Sequence, residues 1–95
     1  MAIGYVYMLA SKKQGTLYVG VTSDLAYRVE QHRAGTASKF TAKYGCIRLV
    51  WFEKHGDIER AITREKTIKK WRRQWKINAI EVVNPAWNDL RYTLV

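Results

Sequence analysis

The sequence predicts a small, single α/β domain in which one three-stranded, mostly antiparallel sheet is flanked by helices, in the order β-β-α-β-α-α. Short runs rich in β-branched and aromatic residues occur near the start and the middle of the chain and are typical of strands. From Ile58 onward, apolar residues recur with the spacing of an amphipathic helix. Because 95 residues suffice for one modest hydrophobic core and not for two, we expect residues 1–95 to form one domain.

The first two strands are predicted at residues 3–9 and 17–21. The residues between them are polar and include Gly15, which favours a reversal of the chain and therefore a β-hairpin. Because side chains alternate between the two faces of a strand, Tyr5 and Tyr7 should point to the same side.

A helix is predicted directly after the hairpin, at residues 25–33. Asp24 precedes it with a side chain that caps helix N-termini, and Gly35 favours its end. The polar stretch at residues 36–45 predicts a loop or a short helix on the surface.

The second half of the chain predicts one strand and two helices. Residues 47–52 are apolar almost without interruption, which predicts that this strand lies in the centre of the sheet. Asp57 caps the longest helix. A further helix at residues 75–83 is closed by Asn84, because the proline that follows disfavours helix at the residue before it.

The charge of the chain favours a polyanionic partner. Seventeen basic and eight acidic side chains give a net charge of +9, and the stretch from Glu59 to Lys76 alone holds eight basic residues against two acidic ones. Nucleic acid is the leading candidate, and an anionic membrane surface is the alternative. Trp71 and Trp75 are interleaved with these charges and can stack on bases or pack in the core. The candidate nucleic-acid contacts are Lys66, Lys69, Lys70, Arg72 and Arg73.

The composition also restricts the class of protein and its compartment. Cys46 is the single cysteine, which excludes an internal disulfide and favours a reducing cytoplasm. No apolar run approaches the ~18 residues of a membrane-spanning helix, and the apolar start lacks the basic region of a signal peptide. A hydrophobic content of 47% argues against intrinsic disorder. We therefore expect a folded, soluble, cytoplasmic protein without a membrane partner.

Glu65 is a charged residue on the apolar stripe of the longest predicted helix. Removing a carboxylate from water costs several kcal/mol unless it is paired or binds a cation. One interpretation is a salt bridge to a basic neighbour, or a stripe edge that reaches solvent. The other is a ligand for a divalent cation, since Mg²⁺ takes only one or two protein carboxylates.

Further polar residues occur where a plain core does not need them. Arg28 and His32 lie one helical turn apart and share a face of the predicted helix. Arginine can clamp a phosphate and offset its transition-state charge, and histidine can hydrogen-bond a phosphate oxygen or move a proton. An ordinary solvated pair is the alternative. Tyr18 shares a side of its strand with Gly20, which leaves room for a close approach; plain packing is the alternative for any one tyrosine.

Together these residues form a pattern that resembles the GIY-YIG nuclease superfamily and, within it, the small single-domain subfamily. The chain is also similar to the N-terminal catalytic domain of the excision-repair incision nuclease. The likeness extends over essentially the whole chain. Its residues are Tyr5-Val6-Tyr7 for the first namesake motif, Tyr18-Val19-Gly20 for the second, then Arg28, His32, Phe40-Thr41, Glu65-Lys66 and Asn84-Pro85.

The resemblance implies metal-dependent hydrolysis of a phosphodiester bond by water, with DNA a more expected substrate than RNA. It implies that Glu65 binds one divalent ion, Mg²⁺ or Mn²⁺, that Arg28 stabilises the transition state, and that His32 assists at the phosphate. Tyr7 and Tyr18 match the family tyrosines that approach the attacking water. We favour Tyr7 as the general base, with Tyr18 in support.

The remaining expectations concern a further site residue and the substrate. A family asparagine after the glutamate helix matches Asn84 or Asn78, and we favour Asn84 as the catalytic one. The expected substrate is structured, damaged or single-stranded DNA, as in DNA repair. The alternatives are a non-catalytic nucleic-acid-binding module that retains the fold and the basic face, and a basic protein that docks on a larger partner.

Overall fold

The computed structural model describes residues 3–94, which form one antiparallel sheet with helices on both faces. The elements are β1 (Gly4–Ala10), β2 (Leu17–Thr22), α1 (Leu25–Arg33), α2 (Lys39–Tyr44), β3 (Arg48–His55), α3 (Ile58–Lys69) and α4 (Arg73–Val83), followed by a 3₁₀ turn at Leu90–Thr93. The predicted class and element order are confirmed, and the polar stretch after α1 contains the short helix α2. Within residues 3–94, no helix is long and apolar enough to cross a membrane.

The predicted hairpin is formed by β1 and β2. Its turn is closed by a hydrogen bond from the Gly15 amide to the Lys12 carbonyl at 2.9 Å. In the antiparallel register, Tyr7 lies opposite Gly20. The hairpin therefore determines which side chains of the two strands meet on one face.

The alternation of β1 divides the buried side chains between two cores. Val6 and Met8 pack with Ile68 of α3 on one face of the sheet. Tyr7 packs with Val29 of α1 on the other face. The helices α1 and α3 therefore cover opposite faces, and a site that uses both must form where they approach the same strand.

Side-chain caps determine where α1 and α3 begin. The Asp24 carboxylate accepts a hydrogen bond from the Tyr27 amide at 3.2 Å, and the Asp57 carboxylate accepts one from the Arg60 amide at 2.8 Å. Each bond satisfies an amide that the first turn of a helix leaves without a partner. Both predicted caps are confirmed.

The prediction that the third strand is central is wrong. The strand order is β2-β1-β3, so β1 is central and β3 lies at an edge. The apolar sequence of β3 reflects cover on both faces, because Val50 and Trp51 belong to one core and Leu49 to the other. Its outer edge is also covered, since the Asn84 amide donates to the Val50 carbonyl at 3.1 Å and the Asp89 carboxylate accepts from the Leu49 amide at 3.3 Å. An edge strand protected in this way has the composition of a central one.

Candidate active site

The hairpin brings two tyrosines together on the α1 face of the sheet. The Tyr7 ring lies over Gly20, where an added Cβ would be 2.5 Å from the Tyr7 hydroxyl oxygen. The Tyr18 ring lies 6.3 Å from the Tyr7 ring, centroid to centroid. Glycine is therefore required at position 20, because any other side chain would displace the Tyr7 phenol.

His32 connects Tyr7 to α2. The His32 Nε2 atom lies 2.7 Å from Tyr7 Oη, and the Nδ1 atom lies 2.9 Å from Thr41 Oγ1. Only 1% of His32 and 0% of Thr41 is exposed. Both ring nitrogens of the histidine are therefore engaged inside the protein.

One assignment of the protons gives every donor of this group an acceptor. The Thr41 hydroxyl donates to the Ser38 carbonyl at 3.2 Å, so the Thr41 oxygen accepts from His32 Nδ1–H. The Nε2 lone pair then accepts from the Tyr7 hydroxyl. All three bonds run in one direction, from Tyr7 through His32 and Thr41 to the backbone of α2.

Burial keeps the Tyr7–His32 pair uncharged in the free protein. Burial is the main cause that raises the pKa of Tyr7 well above its usual range; Tyr18 and the Glu65 charge raise it further, and Arg28 opposes the rise. Burial, followed by the Arg28 charge, lowers the pKa of His32 to about 4. At neutral pH the proton between the two side chains therefore stays on Tyr7.

Arg28 and Glu65 lie on helices that cover opposite faces of the sheet. Arg28 lies on α1 and takes part in none of the ion pairs formed among residues 3–94. Glu65 lies on α3 and is only 9% exposed. Both charges are among the causes of the shifted pKa of Tyr7, where Arg28 lowers this pKa and Glu65 raises it. The side chains in direct contact are Tyr7, Tyr18 and His32, and the participation of Arg28 and Glu65 in one site with them stays a prediction.

The Glu65 carboxylate also has a basic partner. Its Oε2 atom lies 2.8 Å from Lys69 Nζ, one turn further along α3. The salt bridge that was one interpretation of Glu65 is therefore present. Because 51% of the Lys69 side chain is exposed, the pair opens to water rather than closing inside the core.

The donor set near the tyrosines fits a divalent ion that is shared with substrate and solvent. In the described part of the chain, no group of three or more His, Cys, Asp and Glu side chains is arranged to bind a metal, so a cage of protein ligands is excluded there. A single carboxylate suits Mg²⁺, which keeps several waters and binds substrate phosphates. Glu65 is the carboxylate whose charge reaches Tyr7.

His32 is more deeply buried than a solvated helix flank would be. The sequence-based expectations were a hydrogen bond to a phosphate oxygen or help in moving a proton, with a solvated flank of α1 as the alternative. The ring is instead buried, and its two nitrogens are used by Tyr7 and Thr41. The interpretation as a solvated flank is therefore wrong. The assistance of His32 at the phosphate stays a prediction, and with both ring nitrogens engaged it would act through Tyr7.

Asn84 lies beyond β3, on the far side of the sheet from β2. Its amide donates to the carbonyls of Val50 at 3.1 Å and Asn88 at 2.9 Å, and its side-chain oxygen accepts from the Asn88 amide at 3.0 Å. These bonds hold the segment after α4 against β3 and account for the burial of Asn84, whereas its assignment as catalytic stays a prediction. The alternative, Asn78, is exposed on α4 and accepts a hydrogen bond from Gln74 at 2.9 Å.

Three of the predicted nucleic-acid contacts lie together on an open surface. Lys66 and Lys70 line a cavity of about 560 Å³ on the outer side of α3, together with Trp71 and Trp75. The Arg72 guanidinium lies 6.0 Å from the centre of the Trp75 ring. Since 54% of Trp75 is exposed while Trp71 packs against the core, Trp75 is the tryptophan that can meet a base.

The other two predicted contacts have partners within the protein. Lys69 pairs with Glu65. The Arg73 guanidinium donates to the carbonyls of Gln14 at 2.6 Å and Gly15 at 2.7 Å. Arg73 therefore fastens α4 to the hairpin turn, and a role at a phosphate would compete with that task.

Sequence patterns do not predict two residues of this neighbourhood, although Phe40-Thr41 is part of the family resemblance. Thr41 is buried against His32, and the Phe40 ring lies 6.1 Å from the Tyr18 ring. The helix that holds them has only six residues, too few for a periodic pattern to show which side is buried. The available signal was Ser38, which caps this helix and accepts from the Thr41 amide at 3.3 Å.

Comparisons with known proteins give a consistent result. Residues 3–78 match the family profile described as the GIY-YIG catalytic domain. A UPF0213 protein of Clostridium perfringens is 37% identical over 78 residues, which cover 82% of this chain and 83% of the relative. A UPF0213 protein of Staphylococcus haemolyticus is 36% identical over 81 residues, covering 85% and 98%. The solution NMR structure of a UPF0213 protein from Bacillus halodurans aligns with a TM-score of 0.56 at 29% identity and covers 92% of both chains.

Proposed function

The chain belongs to the GIY-YIG nuclease superfamily, whose members act on nucleic acid and generally use divalent metal ions, and from this premise we propose that it is a metal-dependent endonuclease that hydrolyses phosphodiester bonds in DNA. The observation that best supports the proposal is the buried chain of hydrogen bonds from Tyr7 through His32 to Thr41. Buried polar groups are costly unless every one is paired. A small domain that needed only a core would fill this space with apolar side chains.

The Tyr7 hydroxyl is proposed as the group that takes a proton from the attacking water. As the water oxygen bonds to phosphorus, its proton passes to Tyr7 Oη, and the original Tyr7 proton passes to His32 Nε2. Tyr7 is neutral before and after this step, and His32 becomes an imidazolium. The bond from phosphorus to the leaving oxygen breaks, and the leaving oxygen takes a proton from a solvent water. His32 then passes its proton back to Tyr7 Oη, and the proton that Tyr7 took from the attacking water passes to the hydroxide left in the solvent, so the protons balance.

A bound phosphodiester favours this proton transfer, which the free protein disfavours. Before substrate binds, burial and the Arg28 charge keep His32 neutral. A phosphate held by Arg28 offsets that positive charge, so the pKa of His32 rises when the substrate is in place. Acceptance of the proton is thereby coupled to the presence of the substrate.

The negative charge that builds up during hydrolysis is opposed by two groups. Arg28 has no internal ion pair among the residues described, so its guanidinium is available to bind two phosphate oxygens. Glu65 would hold Mg²⁺ or Mn²⁺, which stabilises the charge on the leaving oxygen. Tyr18 supports the arrangement, with its ring 5.3 Å from the His32 ring.

Binding of DNA is proposed to be electrostatic. Lys66, Lys70 and Arg72 supply contacts to phosphates, and the exposed face of Trp75 supplies stacking on a base. The proposed substrate is structured, damaged or single-stranded DNA of the kind that repair produces. A reducing cytoplasm is the proposed compartment, because a chain with a single cysteine forms no internal disulfide.

A non-catalytic nucleic-acid-binding module is the second candidate. The observation that favours it is the 2.8 Å salt bridge between Glu65 and Lys69, which gives the carboxylate a structural partner. In such a module, the basic surface would be retained and the tyrosines would serve packing alone.

A cleavage assay distinguishes the two candidates. Purified protein is incubated with labelled single-stranded, duplex and branched DNA and with RNAs of matching sequence, in Mg²⁺, Mn²⁺ or EDTA. The nuclease proposal expects cleavage of DNA with either metal, no cleavage in EDTA, and binding in all three. Salt-sensitive binding with no cleavage of any substrate in either metal would select the binding module.

A further inference from the structure

We propose that Thr41 is a positioning residue that fixes the tautomer and the ring orientation of His32, so that the Nε2 lone pair faces the Tyr7 hydroxyl. Membership of the family does not by itself assign a role to this threonine. The proposal concerns the arrangement of protons inside the protein, and it rests on the proposed function only for its effect on catalysis.

The position of the Thr41 hydroxyl is determined by the first turn of α2. Ser38 caps this helix, with its own hydroxyl accepting from the Thr41 amide at 3.3 Å. The Ser38 carbonyl accepts from the Ala42 amide at 3.1 Å, and its second lone pair takes the Thr41 hydroxyl at 3.2 Å. The Thr41 oxygen is thereby held with its remaining lone pairs towards His32 Nδ1, 2.9 Å away.

The opposite tautomer makes fewer hydrogen bonds. With the proton on Nε2, His32 would donate to Tyr7 Oη, and the Thr41 hydroxyl would have to turn from Ser38 towards Nδ1. The Tyr7 proton would then have no acceptor, because His32 is the only hydrogen-bond partner of Tyr7 Oη among residues 3–94. Tyr7 is 2% exposed, so a hydroxyl proton left unpaired there is costly. The Nδ1–H tautomer thus allows three hydrogen bonds in this group, whereas the Nε2–H tautomer allows two.

The chemistry of threonine suits this task. A carboxylate next to Nδ1 would orient the ring equally well, but its charge would favour a permanently protonated histidine. A hydroxyl that already donates to a carbonyl can only accept, so it orients the neutral ring without adding charge. His32 is therefore held neutral, with its lone pair directed at Tyr7, until substrate arrives.

The test compares two substitutions of the same residue. Thr41→Val keeps the size and removes the hydroxyl, whereas Thr41→Ser keeps the hydroxyl. The imidazole ¹⁵N chemical shifts of His32, measured on the free protein, report which nitrogen bears the proton. We expect the Nδ1–H form in the wild type and in Thr41→Ser, and a shift towards the Nε2–H form in Thr41→Val.

Cleavage kinetics supply the second readout. We expect kcat of Thr41→Val to fall about 10- to 100-fold with KM little changed, by analogy with the partners that orient metal-ligating histidines, whose removal has effects of about this size. Thr41→Ser should recover most of the loss. An Nε2–H tautomer in the wild type, or a Thr41→Val variant with wild-type kcat, would overturn the proposal. A wild-type protein that cleaves nothing yet shows Nδ1–H would overturn the proposed function and leave the assignment of Thr41 in place.

Discussion

Polar side chains are buried in different ways at the β3 edge of the sheet and beside β1 and β2. Beyond β3, Asn84 binds the backbone of Val50 and Asn88. Beside β1 and β2, Tyr7 and His32 bind each other through their side chains. A polar residue whose partners are backbone groups holds the chain in place. A polar residue whose partner is another titratable side chain can exchange a proton with that partner. In this fold, residues of the first kind are therefore expected to have structural roles, and residues of the second kind are the candidates for chemical ones.

The largest expected effect is that of Glu65→Gln, which keeps the size of the side chain and removes the charge that would anchor the divalent ion. Metal stabilisation of the leaving oxygen is worth several kcal/mol, so cleavage should fall roughly 10³-fold or more, while DNA binding persists or tightens. Cleavage, binding and melting temperature are measured on the one variant.

Lys69→Met is the matched control for this prediction, because it breaks the same salt bridge and keeps the carboxylate. It should retain most of the cleavage activity. An equal loss in the two variants, together with an equal fall in melting temperature, would show that the ion pair is structural.

A substitution at the β3 edge of the sheet should lower the stability of the protein without a selective loss of cleavage. Asn84→Ala removes three hydrogen bonds from a buried position and should lower the free energy of unfolding by about 2–4 kcal/mol, as measured by denaturant unfolding. Cleavage per folded molecule should be unchanged. Asn78→Ala, on the exposed face of α4, serves as the control and should be near neutral. A selective loss of cleavage in Asn84→Ala would instead support the assignment of Asn84 as a catalytic residue.

The free energy of unfolding should depend on pH through His32, which is buried beside β1 and β2. Its pKa is about 4 in the folded protein and near 6.5 when unfolded, so the unfolded state binds the proton more readily. The stability that this group contributes is fully present above pH 6.5 and is lost as the pH falls towards 4. Denaturant unfolding of wild type and His32→Gln between pH 7 and 4 should show a smaller decline in the variant, and parallel declines would contradict the buried, neutral histidine.

The smallest effect concerns the basic surface. Replacing Lys66 and Lys70 together by alanine should weaken DNA binding and reduce the slope of log K against log salt concentration by about 2, because each phosphate contact contributes about 1. Lys54→Ala, on the exposed end of β3, should leave the slope unchanged. The same slope in all three proteins would place the DNA elsewhere on the molecule.

The sequence predicts more of the fold than of the site, for physical reasons. The capping side chain of Asp24 and the bounds of α1 follow from local patterns, which a sequence records directly. The apolar run of β3 indicates that the strand is buried. It does not indicate whether the edge of the strand is covered by another strand or, as observed, by the Asn84 and Asp89 side chains. The contact between His32 and Thr41 joins two helices, and no periodicity in either of them predicts it.

The candidate site residues could be proposed from the sequence because each is unusual where it stands. The Tyr7 hydroxyl, the Arg28 guanidinium and the Glu65 carboxylate are all groups that a plain core or strand does not require. Their roles were less predictable, since the role of His32 depends on burial and on its hydrogen-bond partners rather than on its position in α1.

The most direct test of the account is single-turnover cleavage of labelled DNA in Mg²⁺ by Tyr7→Phe, with Tyr5→Phe as the matched control. Both changes remove one hydroxyl from the same face of β1, but only Tyr7 is hydrogen-bonded to His32. The account predicts that Tyr7→Phe loses about 10²- to 10⁴-fold in rate while it still binds DNA, and that Tyr5→Phe keeps the wild-type rate. Equal rates in wild type and Tyr7→Phe would contradict the proposed role of the Tyr7–His32 pair.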